Sequence, residues 1–256
     1  MVCLSEFWLF NDTATAVQRE RASRAIDQMV RAADAARPKL VQLANVDGAR
    51  LQTAAALLQR ALELLAAARA ADSAVGARPA VELTVRTGFE LTCRARFLLS
   101  SPDAPGEFVA MVTDFFRKDS ALARKIGQQS VPLPPFLGAL VDTTSKKQPR
   151  NLWRICEALD KIEGRCETDR WSARASYVTL YQWMSNAAAH GGLGSIRRFT
   201  REEQGVLHLV ERPEPMTTHW LIPVFAAHVG ELARVVLEAF GLPPDEIRAS
   251  GVILPR

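Results

Sequence analysis

Ser176-Tyr177-Val178-Thr179-Leu180-Tyr181-Gln182-Trp183-Met184-Ser185-Asn186-Ala187-Ala188-Ala189-His190-Gly191-Gly192 is the stretch that decides how the chain is read. It predicts a helix that closes on a histidine and is then stopped by glycines, which turn the backbone at no steric cost. The stretch holds both of the protein's 2 tyrosines, one of its 5 tryptophans and one of its 4 histidines. Asn186 and His190 are four positions apart, so they share a helix face just before the helix end. Two polar side chains set together among apolar ones make either a site or a hydrogen-bonded pair. Carbonyls at a helix C-terminus favour a protonated imidazole, so His190 can act as a proton donor, grip a phosphate, or simply cap the last carbonyls.

Outward from this segment the pattern stays helical. The periodicity predicts helices over 47–71, 79–100, 107–126, 151–163, 170–190 and 218–240. In the first, Leu51, Leu58, Leu62 and Leu65 form one apolar stripe. Pro79 suits the first turn of the second, and residues 101–106 carry turn chemistry. Pro132, Pro134 and Pro135 forbid a continuous helix between residues 128 and 150. Near residues 196–212 the period changes to that of a β-hairpin, with Glu202-Glu203-Gln204-Gly205 as its turn and 206–210 as the better strand. The expected fold class is all-α: a bundle of about six to seven helices with one small β-hairpin before the last long helix. An alanine- and arginine-rich helix over 11–37 is expected to form an N-terminal arm (1–44), followed by a single helical domain (45–245) and a C-terminal tail (246–256).

With 256 residues, nearly half of them apolar, the chain can bury a full core. A net charge of +4 tolerates a polyanion without demonstrating one. The apolar opening is interrupted by Glu6 and has no basic start or cleavage site, and no run is long enough to span a bilayer. The 4 cysteines contain no C-x-x-C pair, which reads as reduced thiols in a cytoplasmic protein. No histidine pair has metal-binding spacing, and Ser195 lacks the G-x-S-x-G context of a hydrolase, so the sequence implies no metal, cofactor or membrane partner.

A second constellation lies on the helix over 79–100. Glu82, Arg86, Glu90 and Arg94 recur every four residues. On a surface this is a favourable charge ladder. The intervening positions are apolar, however, so part of the ladder is expected inside, with Arg86–Glu90 as the natural buried pair. Gly88 in the same helix predicts the close approach of another helix. Basic residues cluster at Lys146, Lys147 and Arg150, and at Arg197, Arg198 and Arg201.

Arg86-x-x-x-Glu90 on an early helix, then a helix ending Ser185-Asn186-x-x-x-His190, a hairpin and a long last helix, resembles a bacterial all-helical domain family of unknown function. Asn186-x-x-x-His190 is also similar to the tail of the Arg-Asn-x-x-x-His motif of HEPN domains. In catalytic members that resemblance implies metal-independent RNA cleavage across a dimer, with the arginine neutralising the scissile phosphate and the histidine moving a proton. Here Ser185 occupies the arginine position. The resemblance thus implies His190, Asn186 and a substituting Arg86 as catalytic residues, with Arg197, Arg198, Glu90 and Ser185 around the substrate. Two functions are expected from it: a non-catalytic helical interaction module, working through a homodimer or a protein partner in stress or phage defence, and a HEPN-like metal-independent ribonuclease. The missing arginine and the expected Arg86–Glu90 pair favour the first.

Overall fold

The computed structural model describes residues 48–72, 78–130, 132–166, 168–169, 172–182, 184–185, 200–209 and 221–241. Within them the chain is a helical bundle with one antiparallel hairpin. The helices are α1 (Ala49–Asp72), α2 (Arg78–Ser100), α3 (Ala104–Lys125), the single turn α4 (Pro135–Gly138), α5 (Leu152–Ile162), the single turn α6 (Ala173–Ser176) and α7 (Leu221–Ala239). A π-helical segment, Tyr177–Gln182, continues directly from α6. Strands β1 (Thr200–Glu203) and β2 (Val206–Leu209) pair with Thr200 opposite Leu209. The expected arm over 1–44 and tail over 246–256 lie outside the described residues.

Helix α2 is the hub, touching α1, α3, α5, the π-helical segment and α7. Its composition explains this. Val81, Val85, Phe89, Cys93, Ala95, Phe97 and Leu98 are all buried, and they point in too many directions for one face to stay dry alone. On α1, Leu58, Leu62 and Leu65 are buried against it, as their spacing predicts. Gly88 faces α7 at close range: a Cβ at that position would lie 2.0 Å from the Phe225 ring.

Local signals set several element ends. Asn151 caps α5 by accepting a hydrogen bond from the Arg154 amide at 3.0 Å. Gly241, with φ +77°, follows the end of α7 in the left-handed conformation. The hairpin turn is tighter than expected. Glu202 and Glu203 belong to β1, and the turn is Gln204-Gly205 with φ of 52° and 77°, the double positive pair of a type I′ turn. Helix α3 also starts earlier than expected, at Ala104, because Pro105 in its first turn has no amide to lose.

The expected single α-helix over 170–190 is not one α-helix. After α6 it widens into π-helix over Tyr177–Gln182. Thr179 Oγ1 donates to the Ala175 carbonyl at 3.0 Å and reaches the Ser176 carbonyl at 3.4 Å, competing for oxygens that the α-helical ladder would use. Segments of this kind concentrate at functional sites.

Candidate functional site

Arg86 leaves the core side of α2 half-buried and reaches the π-helical segment. Its Nε donates to Ser185 Oγ at 2.7 Å and its Nη2 donates to the Tyr181 hydroxyl at 3.1 Å. The guanidinium carbon stands 4.5 Å over the centre of the Tyr181 ring, a cation–π contact. The expected Arg86–Glu90 pair does not form. Glu90 instead accepts from Arg94 Nε at 3.0 Å and Nη2 at 2.9 Å, one turn further along the same helix. Arg86 has turned away from its own helix towards two hydroxyls, which take two of its N–H donors without cancelling its charge.

Behind Tyr181 the rings continue in file. Tyr177 stacks on Tyr181 at 5.2 Å and 23°, and Trp153, in the first turn of α5, meets Tyr177 edge to face at 5.3 Å and 66°. Burial raises the Tyr177 phenol, with Tyr181 adding to it, so the ring stays neutral through the physiological range.

The segment that carries Tyr177, Tyr181 and Ser185 is pinned at its start. Buried Asp160 of α5 accepts from the Ala173 amide at 2.6 Å, the Ser172 hydroxyl at 2.7 Å and Arg174 Nε at 2.9 Å. Ser172 in turn caps α6 by accepting from the Ala175 amide at 3.2 Å. One turn on, the Ser176 hydroxyl lies 2.8 Å from His228 Nε2 of α7. His228 Nδ1 lies 3.3 Å from Arg96 Nη1, and Arg96 Nη2 pairs with Glu163 at the end of α5. A guanidinium can only donate, so His228 Nδ1 accepts and Nε2 carries the proton given to Ser176. Burial, then Arg96 and Arg165, push the His228 imidazole well below its ordinary range. Burial opposes the charge on Arg96, but Glu163, Cys93 and Glu231 together more than offset this and its pKa is raised.

Ser176 and His228 have the spacing of a nucleophile and its base, but the chemistry is wrong for that role. Both are buried, and a cation rather than a carboxylate faces Nδ1, which opposes formation of an imidazolium. The network is a tie. It joins α2, α5, α6 and α7 and fixes where the π-helical segment begins.

Of the residues expected at the site, the structure brings Arg86 and Ser185 together and keeps Glu90 nearby but paired with Arg94. Asn186, His190, Arg197 and Arg198 lie outside the described residues; Asn186 directly follows Ser185 in the chain. Lys146 and Lys147 are exposed, whereas Arg150 is held by Asp103 at 2.6 Å. His208 is exposed on β2. Sequence reasoning missed Tyr181 and Trp153 as partners of this site, and it missed Arg96, His228 and Ser176 altogether. One signal was present: His228 interrupts an apolar run, Val224-Phe225-Ala226-Ala227-His228-Val229, where a polar side chain needs a buried partner. Among the described residues no cluster of three metal-ligating side chains occurs, and no helix is long and apolar enough to cross a membrane.

The chain matches no known family model, no curated protein and no solved structure.

Proposed function

We propose that the chain is a HEPN-like helical module that binds an RNA phosphate at Arg86 and cleaves the RNA without a metal, using Asn186 and His190. The observation that carries this reading is the 2.7 Å hydrogen bond from Arg86 to Ser185. The motif that Asn186-x-x-x-His190 resembles needs an arginine at position 185, and a guanidinium from α2 stands against that position. The two features that favoured a non-catalytic module in the sequence were the missing arginine and an Arg86 neutralised by Glu90. Against the first stands a guanidinium from another helix, which supports Arg86 as the substitute; the second does not occur. In this reading Arg86 offsets the charge that builds on the phosphate. His190 moves a proton as the 2′-oxygen bonds to phosphorus and the 5′-oxygen leaves, producing a 2′,3′-cyclic phosphate and a 5′-hydroxyl.

Incubation of the full chain with total RNA and EDTA tests the reading. Cleavage that leaves cyclic phosphate ends, and that disappears in both Arg86→Ala and His190→Ala, is the expected result. Intact RNA overturns it.

A second reading, a non-catalytic interaction module, is favoured by Phe115, Leu122 and Ile126. They are 54%, 57% and 57% exposed, and they fall seven and four residues apart along one stripe of α3 and its cap. Intact RNA together with a self-associated chain that becomes monomeric on Leu122→Lys would select it.

A further inference from the structure

The aromatic file beside Arg86 has two ends of different character. Tyr177 and Tyr181 face one another, and the Arg86 guanidinium lies over Tyr181, so the middle of the file is occupied by its own members. The file ends in a cation on one side and in the half-buried indole of Trp153 on the other. Between them lie three ring spacings of about 5 Å each. A ligand that satisfies both ends needs an anionic group and, more than one unit further along, a flat π-face.

We propose that Trp153 is the stacking subsite for an unpaired nucleobase of a single-stranded RNA whose phosphate sits on Arg86. This rests on the RNA reading given above and adds the residue that holds the base. Paired bases present only their edges, and the A-form major groove is too narrow to admit side chains, so a duplex cannot offer a π-face to Trp153. Stacking on an aromatic ring is indifferent to base identity, because every base has such a face, so the subsite selects strandedness rather than sequence. The surrounding charge agrees. Lys146 and Lys147 are exposed in the loop that leads into α5, and the first turn of α5 carries no acidic residue. Glu90, whose charge adds to the rise of the Tyr177 phenol, is paired with Arg94.

The test is fluorescence anisotropy on the full chain with a labelled 2′-O-methyl oligoadenylate about ten nucleotides long, which cannot be cleaved. The same oligomer with abasic positions and its duplex with a complementary strand serve as controls. Trp153→Ala is expected to weaken single-strand binding at least about fivefold, whereas Trp153→Phe retains most of it. Abasic and duplex forms bind more weakly and do not respond to Trp153→Ala. If the alanine variant does not fold, Trp153→Leu keeps the apolar bulk without the π-face and is expected to show the same loss. Equal binding of abasic and intact strands, or unchanged affinity in both Trp153 variants while Arg86→Ala still weakens binding, overturns the stacking subsite and leaves the RNA reading standing. Absence of binding to every RNA, with no response to Arg86→Ala, overturns both.

Discussion

Arg86 Nε donates to Ser185 Oγ at 2.7 Å across 99 positions of chain, and this one contact replaces the pairing with Glu90 that four-residue spacing suggests. Ser185 and Tyr181 are neutral acceptors, so losing the guanidinium leaves no carboxylate unpaired in their place. Arg86→Ala is therefore expected to lower stability by about 1–3 kcal/mol, the range for hydrogen bonds to a charged group. Under the proposed function it lowers RNA cleavage by about a hundredfold or more. Arg86→Lys should recover little, because an ammonium cannot reproduce a fork that spans Nε and Nη2. Initial rates in EDTA, set beside urea unfolding midpoints, separate the two effects.

His228 makes folding pH-dependent. An imidazole in the unfolded chain takes up its proton near 6.5, while His228 in the fold stays neutral well below that value. Under acid the unfolded state binds a proton that the folded state refuses, so stability falls as pH drops below about 6.5, with a slope of at most about 1.4 kcal/mol per pH unit from this group. His228→Gln can still accept from Arg96 and donate to Ser176 but does not titrate. Urea midpoints at pH 7.5 and 5.5 should therefore lie closer together in the variant than in the parent. An equal spread would show that His228 contributes nothing to the slope.

Gly88 should resist substitution even though alanine is the better helix former. A Cβ there meets Cζ, Cε2 and Cε1 of the Phe225 ring at 2.0, 2.4 and 2.8 Å. The helix-propensity gain of about 1 kcal/mol is outweighed by forcing α2 and α7 apart, a cost of about 1–3 kcal/mol or more. Gly88→Ala is expected to lower the melting temperature, and Phe225→Leu in the same chain should recover part of the loss. Unchanged stability in Gly88→Ala would mean that the two helices do not meet as described.

The cysteines should differ in reactivity. Cys166 is exposed, and its sulfur lies 3.0 Å from Thr168 Oγ1; that hydroxyl and the Thr168 amide hold the thiol below its usual range. Cys93 and Cys156 are buried, and Cys156 is pushed far upward by its contact with Cys93 and by burial. Under native conditions iodoacetamide should modify Cys166 at least about tenfold faster than either buried thiol. Peptide mapping by mass spectrometry reads the order, and early labelling of Cys156 would contradict its burial.

What the sequence determined by itself was local. Pro79 marks a helix start and Pro132, Pro134 and Pro135 break a continuous helix because proline acts within one turn, and the leucine stripe of α1 assigns a buried face because its period matches the helix. Gly88 announced a close approach, although not that Phe225 would make it. Only the tertiary structure decided which charges meet. Glu90 had Arg86 and Arg94 equally spaced on either side, and spacing alone cannot choose between them. The choice followed from Ser185 and Tyr181 arriving beside Arg86, on a segment set by Asp160 and by the Ser176–His228–Arg96 tie. Such pairings depend on how helices cross, which no periodicity within a single helix records.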